Sequence, residues 1–337
     1  MEVVNRIHAR NLVKWAKDKP DVVVLSGDLT GSTEVDLFKE AYPDRFFSMG
    51  MAEQNMLGWA GGLAREGYTP FLHTFGVFLY RRPLDQLSMS IAYPNLRVRM
   101  FGFLPGITTP GGATHQAIDD IAVLRGIPNM TLLEVGDATE IESVLDVAHA
   151  VNGPVYIRML RGEVPRLFNP SEPMIFNQAR ELRTGTDLTL FTTGICTEEA
   201  MRATHVLQEH GVSIQHMHLS TLKPFTDPSV VAAAAQAKYG VVTMENHTVV
   251  GGLGTCVAEV MAEAGGGRPL VRLGLPDTYA HGATRRFLMK AYGLDGMALV
   301  QRVEAVLGTR LNITDEDLAA VRLETAVSLS TAQLEAL

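Results

Sequence analysis

Phe46-Phe47-Ser48-Met49-Gly50-Met51-Ala52-Glu53-Gln54-Asn55-Met56 is the stretch on which the reading of this chain turns. An apolar run that meets a glycine and resumes with a carboxylate predicts the end of a buried strand, a turn at Gly50 and a helix with Glu53 in its first turn. A carboxylate suits that place, because the unpaired N–H groups of a helix start favour negative charge. The continuation from Leu57 to Gly67 has no charge before Arg65 and carries Gly58, Gly61 and Gly62. Such a helix is expected to be buried on several sides and closely packed. A carboxylate at its mouth is partly desolvated, a setting that prepares a side chain for proton exchange.

Working outward, the periodicity predicts an amphipathic helix from Asn5 to Lys17, ended by Pro20, and a buried parallel strand at Val22-Val23-Val24-Leu25. That strand delivers Ser26-Gly27-Asp28-Leu29-Thr30-Gly31-Ser32 at its C-terminal end, where open α/β sheets place ligands. Asp28 and Ser32 equally suit the capping of a following helix. Beyond Phe78, Arg81-Arg82-Pro83-Leu84-Asp85-Gln86 opens another helix. Strands near Arg97 to Phe103, Met130 to Glu134 and Val155 to Arg158 alternate with helices near Ala117 to Arg125 and Thr139 to Ala150, which is βα repetition. A loop rich in Gly, Thr and Pro, Pro105 to Thr114, ends in Thr114-His115-Gln116 and offers backbone approach to a ligand. His115 is either a local cap or a reacting group. Arg161, at a strand exit, suits a phosphate or carboxylate because its planar fork binds bidentately.

With 337 residues, 46% of them apolar and 20% charged, the chain has material for two α/β domains with mainly parallel sheets flanked by helices. The expected division is 1–168, a linker at 169–186 loosened by Pro170 and Pro173, a second domain at 187–310 and a peripheral tail at 311–337. In the second domain, strands are expected at Leu188 to Phe191, Val212 to His218, Val241 to Glu245 and Leu270 to Leu273. Helices are expected at Pro228 to Ala237 and Leu253 to Glu263, with a further one capped by Thr197. Gly251-Gly252-Leu253-Gly254 fits no nucleotide-binding pattern and is expected to serve packing. The net charge of −8 argues against nucleic acid or an anionic membrane as partner. Cys196 and Cys256 are the only cysteines. Two core thiols fit a reducing cytoplasm better than a disulfide framework.

Taken together, Ser26-Gly27-Asp28-Leu29-Thr30, Met49 to Asn55, His73-Thr74-Phe75 with Phe78, Thr114-His115-Gln116, Arg158 to Arg161 and Glu245-Asn246-His247 resemble the C-terminal half of transketolases. Over roughly residues 1 to 308 the chain is similar to their pyrimidine-binding domain plus their C-terminal domain. The resemblance implies thiamine diphosphate as cofactor and transfer of a two-carbon ketol unit from a ketose phosphate to an aldose phosphate. It makes Glu53 the carboxylate that bonds the pyrimidine N1′ and so promotes loss of the thiazolium C2 proton. It places Phe78 on the pyrimidine face, Phe75 behind it, and Met51, Leu29 and Asp28 around the cofactor. His115 is placed at the donor sugar and the reacting centre, with Ser32, Arg161 and Arg6 at the sugar phosphate.

Two departures from the family pattern carry further expectations. The Gly-Asp-Gly motif that holds the diphosphate and its divalent metal is missing, since neither Gly27-Asp28 nor Gly136-Asp137 is followed by glycine. No metal ligand is therefore assigned to this chain. A separate N-terminal subunit carrying Mg2+ or Ca2+ is expected, in an α2β2 heterotetramer without which the chain is inactive. Gly111 stands where the family has an aspartate that reads a substrate hydroxyl, and a histidine common earlier in the same loop of the family is replaced near Phe103. Loss of such readers points to a non-standard donor, such as apulose 4-phosphate or a sulfonated ketose, in place of xylulose 5-phosphate. The alternatives are a beta-type subunit of a 2-oxo acid dehydrogenase, an enzyme like 1-deoxyxylulose-5-phosphate synthase, and a non-catalytic scaffold or regulatory subunit.

Overall fold

The structure, a computed structural model, describes residues 1–323. Short segments rich in apolar residues make the strands of a seven-stranded sheet, and the central ones are buried almost throughout. In order across it lie Phe46–Ser48, Val22–Ser26, Thr69–Phe75, Arg99–Phe103, Val155–Met159 and Thr131–Glu134, all parallel. Successive side chains point to opposite faces, so alternate residues feed two cores. Leu25, Leu72, Met100 and Leu132 enter one; Val24, Phe71, Phe101 and Leu133 enter the other. Helices Ile7–Trp15 and Ala138–Ala150 pack on the second of these faces. A five-stranded sheet follows, with Leu270–Leu275, Gly240–Thr248, Leu188–Thr192 and Ile214–His218 parallel. The expected βα repetition is present in both halves.

Several expectations are corrected at the edges. Phe46–Ser48 is an outermost strand and only half-buried, because no strand among the described residues pairs with its far side. The span 169–186 contributes Arg180–Arg183 as an antiparallel edge strand of the five-stranded sheet. The far edge of the seven-stranded sheet is Thr221–Lys223, antiparallel to Thr131–Glu134 and drawn from the later part of the chain. Thr197 does not cap a helix. It lies inside Cys196–Glu209, and its hydroxyl pairs with Thr192 Oγ1 at 2.9 Å and His218 Nδ1 at 2.7 Å. In the expected tail, Thr314 caps a short helix, Asp315–Ala320, while residues 324–337 lie outside the described residues.

The two halves are joined by buried charge. The fully buried Arg158 donates to Asp120 at 3.0 Å, to Glu134 at 2.6 Å and to the carbonyls of Ala117 and Asn246 at 3.1 and 2.9 Å. Asn246 in turn donates to the Pro105 carbonyl and accepts from the Ile107 N–H, which pins the 105–116 loop to the second half. Gly106 between them has φ +55, and an added Cβ would run into the Asn246 side chain.

Glu245 fills the glycine-rich helix entry, where its carboxylate accepts from Leu253 N–H at 2.6 Å and Gly254 N–H at 2.9 Å. The Glu245 carboxyl occupies the space that a phosphate at that helix start would need, in keeping with a packing role. Burial pushes Glu245 up to about 8 from an ordinary 4.5, against the two N–H bonds that oppose the shift. The folded chain therefore binds a proton that the unfolded chain has released. Stability from this group is full below pH 4.5 and declines as pH rises to 8. Wild-type stability is expected to carry a falling component on the order of 1 kcal/mol per pH unit in that window, and Glu245→Gln is expected to remove it. Urea unfolding from pH 5.5 to 8 tests this, and an unchanged slope in the variant would refute it.

Candidate active site

Gly50, with φ +67, turns the chain between strand and helix, and Glu53 opens the helix Glu53–Arg65. The helix is not buried on several sides. Met56, Leu57, Ala60 and Gly61 face inward, whereas Gln54, Asn55, Gly58, Trp59 and Gly62 face outward. Only Gly61 needs its missing side chain for contact, since a Cβ would lie 2.7 Å from the Ser90 carbonyl oxygen. Ser90 belongs to a π-wound turn, Gln86–Ala92, packed across the helix.

Glu53 itself is buried. Its carboxylate accepts from Arg82 Nη1 at 2.8 and 2.9 Å, which supplies the counter-charge that a buried carboxylate requires. Phe78, on the helix Gly76–Tyr80, lies under the same arginine, whose guanidinium carbon is 4.1 Å from the ring centroid. Phe75 stacks on Phe78 with centroids 6.0 Å apart, and His115 stands edge-on to both, at 6.2 and 5.5 Å. His115 Nδ1 pairs with Thr114 Oγ1 at 2.8 Å, which leaves Nε2 as the ring atom available for other work. The structure thus brings together Glu53, Phe75, Phe78 and His115 from separate segments of the chain. Met51 is 79% exposed and lines an open depression of about 700 Å³ together with Glu53 and Arg82.

Asp28 and Leu29 sit in the turn after Val22–Ser26, Asp28 at φ +64 and exposed, Leu29 half-buried. Neither Asp28 nor Ser32 caps a helix, because the next one begins at Asp36 with Val35 at its N-cap. Ser32, Arg161 and Arg6 form a second group. Arg161 donates to the Ser32 carbonyl at 3.0 Å, and the Arg6 N–H bonds the Gly162 carbonyl. The Arg6 guanidinium is already paired with Asp36, which raises its pKa. Glu34, buried beside them and pushed up by burial, accepts from the Gly162 N–H at 2.7 Å. The group is thus less cationic than its arginines alone suggest.

Sequence reasoning passed over Arg82, Asp36 and Glu34. Arg82 had one signal, its position four residues after Phe78, a spacing that puts two side chains on one face of a helical turn. Asp36 and Glu34 had none, since only tertiary folding brings them to Arg6 and Gly162. Behind the site, His73 lies against Phe101 at 4.6 Å between ring centroids and against His8 Nε2 at 3.0 Å. Burial holds His8 down at about 3 and His73 well below its ordinary range, so both are neutral packing groups.

Gly111 meets His115 closely, because an added Cβ would lie 2.9 Å from the His115 Cβ. The loop is also tied to the second half, where Gln116 donates to the His281 carbonyl at 3.3 Å. Cys196 and Cys256 are buried free thiols. Among the described residues no three His, Cys, Asp or Glu side chains are grouped to hold a metal ion, and no helix is long and apolar enough to cross a membrane.

Comparison with known proteins places the chain in a family. The transketolase pyrimidine binding domain matches residues 5–166, and the transketolase C-terminal domain matches residues 177–298. A 6-deoxy-6-sulfo-D-fructose transketolase subunit of a Clostridium species is 36% identical over 296 residues, spanning 88% of this chain and 91% of its own length. An apulose-4-phosphate transketolase subunit of Actinobacillus succinogenes is 31% identical over 301 residues, spanning 89% and 96%. Among solved structures, a split gene transketolase described as an inactive beta4 tetramer superposes with a TM-score of 0.83 at 36% identity, covering 90% of this chain and 97% of that one. The chain belongs to the transketolase family, of which it carries the pyrimidine-binding and C-terminal domains.

Proposed function

We propose that this chain is the C-terminal subunit of a split transketolase that depends on thiamine diphosphate and works only with an N-terminal partner. The convergence of Glu53, Phe75, Phe78 and His115 carries the reading. The residues fit an aminopyrimidine, as the planar Arg82 cation lying on Phe78 and bonded to Glu53 illustrates. When bound, thiamine diphosphate supplies the nucleophilic carbon that accepts a two-carbon ketol unit from a ketose and releases it to an aldose. Glu53 would share a proton with N1′ of the pyrimidine. Phe78, with Phe75 behind it, would hold the ring face, and Met51, Leu29 and Asp28 would border it. His115 Nε2 would exchange a proton with a hydroxyl of the sugar. Arg161 and Ser32 would hold the sugar phosphate, and Arg6 would join them on leaving Asp36.

The diphosphate and its Mg2+ or Ca2+ fall to the partner. Association in an α2β2 assembly is supported by exposed apolar side chains before and on the helix Glu53–Arg65 and in and just after the turn packed across it, Met51, Trp59, Met89 and Tyr93 being 79, 51, 57 and 80% exposed. Patches of this kind mark interaction surfaces. Two buried thiols fit work in a reducing cytoplasm.

A non-standard donor is part of the same reading, supported by Gly111 and by the sulfofructose and apulose phosphate named for two relatives. Mixing the chain with an N-terminal subunit that bears Gly-Asp-Gly, thiamine diphosphate and Mg2+ is expected to produce ketol transfer that neither chain gives alone. Profiling of xylulose 5-phosphate, apulose 4-phosphate and 6-deoxy-6-sulfofructose is expected to rank xylulose 5-phosphate below one of the others. A strong preference for xylulose 5-phosphate would refute the donor reading. Gly111→Asp is expected to displace His115 and lower turnover by about 10²-fold with every donor, since the added side chain starts within 2.9 Å of the histidine.

A further inference from the structure

Arg82 makes the two contacts that the proposed function gives to the pyrimidine. One nitrogen donates to both oxygens of Glu53, at 2.8 and 2.9 Å, while the guanidinium lies 4.1 Å from the Phe78 centroid. A guanidinium is flat, delocalised and weakly hydrated, with its donors in its own plane. An aminopyrimidine is likewise flat and can meet a carboxylate at its edge while stacking by its face. One aromatic face cannot carry both, nor can one carboxylate edge.

The attachment of Arg82 is built for release. Its neighbour Arg81 is fixed, donating to Asp119 at 2.8 Å and to the Ala113 carbonyl at 3.3 Å. The Arg82 side chain is 48% exposed, and its hydrogen-bonded partner among the described residues is Glu53, whose side chain is 2% exposed. The asymmetry has a consequence. If Arg82 left an empty site, the buried carboxylate would lose its counter-charge, which is costly. It can leave at little cost only when another planar donor reaches Glu53 at the same time.

We propose that Arg82 is a displaceable surrogate for the pyrimidine, a positioning residue that holds the Glu53 carboxylate and covers the Phe78 ring until the cofactor exchanges with it. The inference rests on the cofactor reading above. The surrogate opposes entry of any ring that cannot bond Glu53, because such a ring would displace Arg82 without replacing it. It also lowers affinity for the correct ring by the strength of the contacts that must be broken.

The test is equilibrium binding of thiamine diphosphate, with Mg2+ present, to the chain assembled with its N-terminal partner, measured by calorimetry. Arg82→Ala and Arg82→Met are both expected to bind about tenfold more tightly than wild type, from loss of one ion pair and one cation–π contact. Low-millimolar ethylguanidinium is expected to compete with the cofactor in Arg82→Ala and to have no effect on wild type, a readout that a merely structural role would not move. Equal or weaker binding in both variants, with wild type binding normally, would overturn the surrogate and leave the cofactor reading standing. Absence of binding by wild type and variants alike would overturn both.

Discussion

Glu53→Gln in the assembled complex is expected to lower kcat by about 10²–10⁴-fold, the range typical of a lost proton-transfer group, with little change in assembly. Glutamine keeps the length and planarity of glutamate but cannot hold a proton jointly with a ring nitrogen. It also removes the negative charge to which Arg82 is bonded at 2.8 and 2.9 Å. Side-chain release and loss of proton exchange then act on different quantities, the first on cofactor affinity and the second on turnover with cofactor saturating. Steady-state kinetics at saturating thiamine diphosphate, with size-exclusion chromatography to verify the assembly, separates them. Unchanged kcat would show that Glu53 is a helix-terminus charge and no more, and the proposed chemistry would fall with it.

Arg158→Met is expected to destabilise the chain by about 3–5 kcal/mol, the cost of breaking a buried ion pair on one side. Methionine preserves much of the volume, so little of the loss comes from an empty cavity. The loss comes from what remains. Asp120 and Glu134 keep their burial and lose their shared cation, while the Ala117 and Asn246 carbonyls lose a donor. Tyr156 Oη still donates to Asp120 at 2.8 Å, and Thr193 to Glu134 at 3.0 Å, but neither carries charge. Because Thr193 and Asn246 belong to the second half, the loosening is expected at the joint. Urea denaturation gives the magnitude, and hydrogen exchange at the 105–116 loop gives the place. A change below about 1 kcal/mol would mean that the network contributes little beyond geometry.

Both halves of the fold were legible because their central strands are short segments dominated by apolar residues, as buried parallel strands tend to be. Val22 to Leu25 and Leu188 to Phe191 could scarcely be read otherwise. The edges were not legible. Arg180–Arg183 is built from charged residues after a proline-rich span, and Thr221–Lys223 is too short to show a period. In the site, Glu53, Phe78 and His115 were visible as a family pattern, each in its own segment. Arg82 was passed over because its meaning lies in what it touches, and Arg6 looked freer than it is because Asp36 is thirty residues away. Thr197 looked like a cap by its place before Glu198 and Glu199. Its hydroxyl is instead drawn to His218 and Thr192, a tertiary competition that local pattern does not record.

The antiparallel strand Thr221–Lys223 bears on how the chain is made. It completes a sheet whose other six strands all lie before residue 160, with some sixty residues between Met159 and Thr221. During synthesis on the ribosome the first sheet must therefore wait with one margin, the four-residue strand Thr131–Glu134, unpaired while those residues emerge. Until then Thr131–Glu134 is open to any strand that passes, including one from a neighbouring nascent chain. The two halves are thus two units in the finished molecule but a single unit in the order of its making.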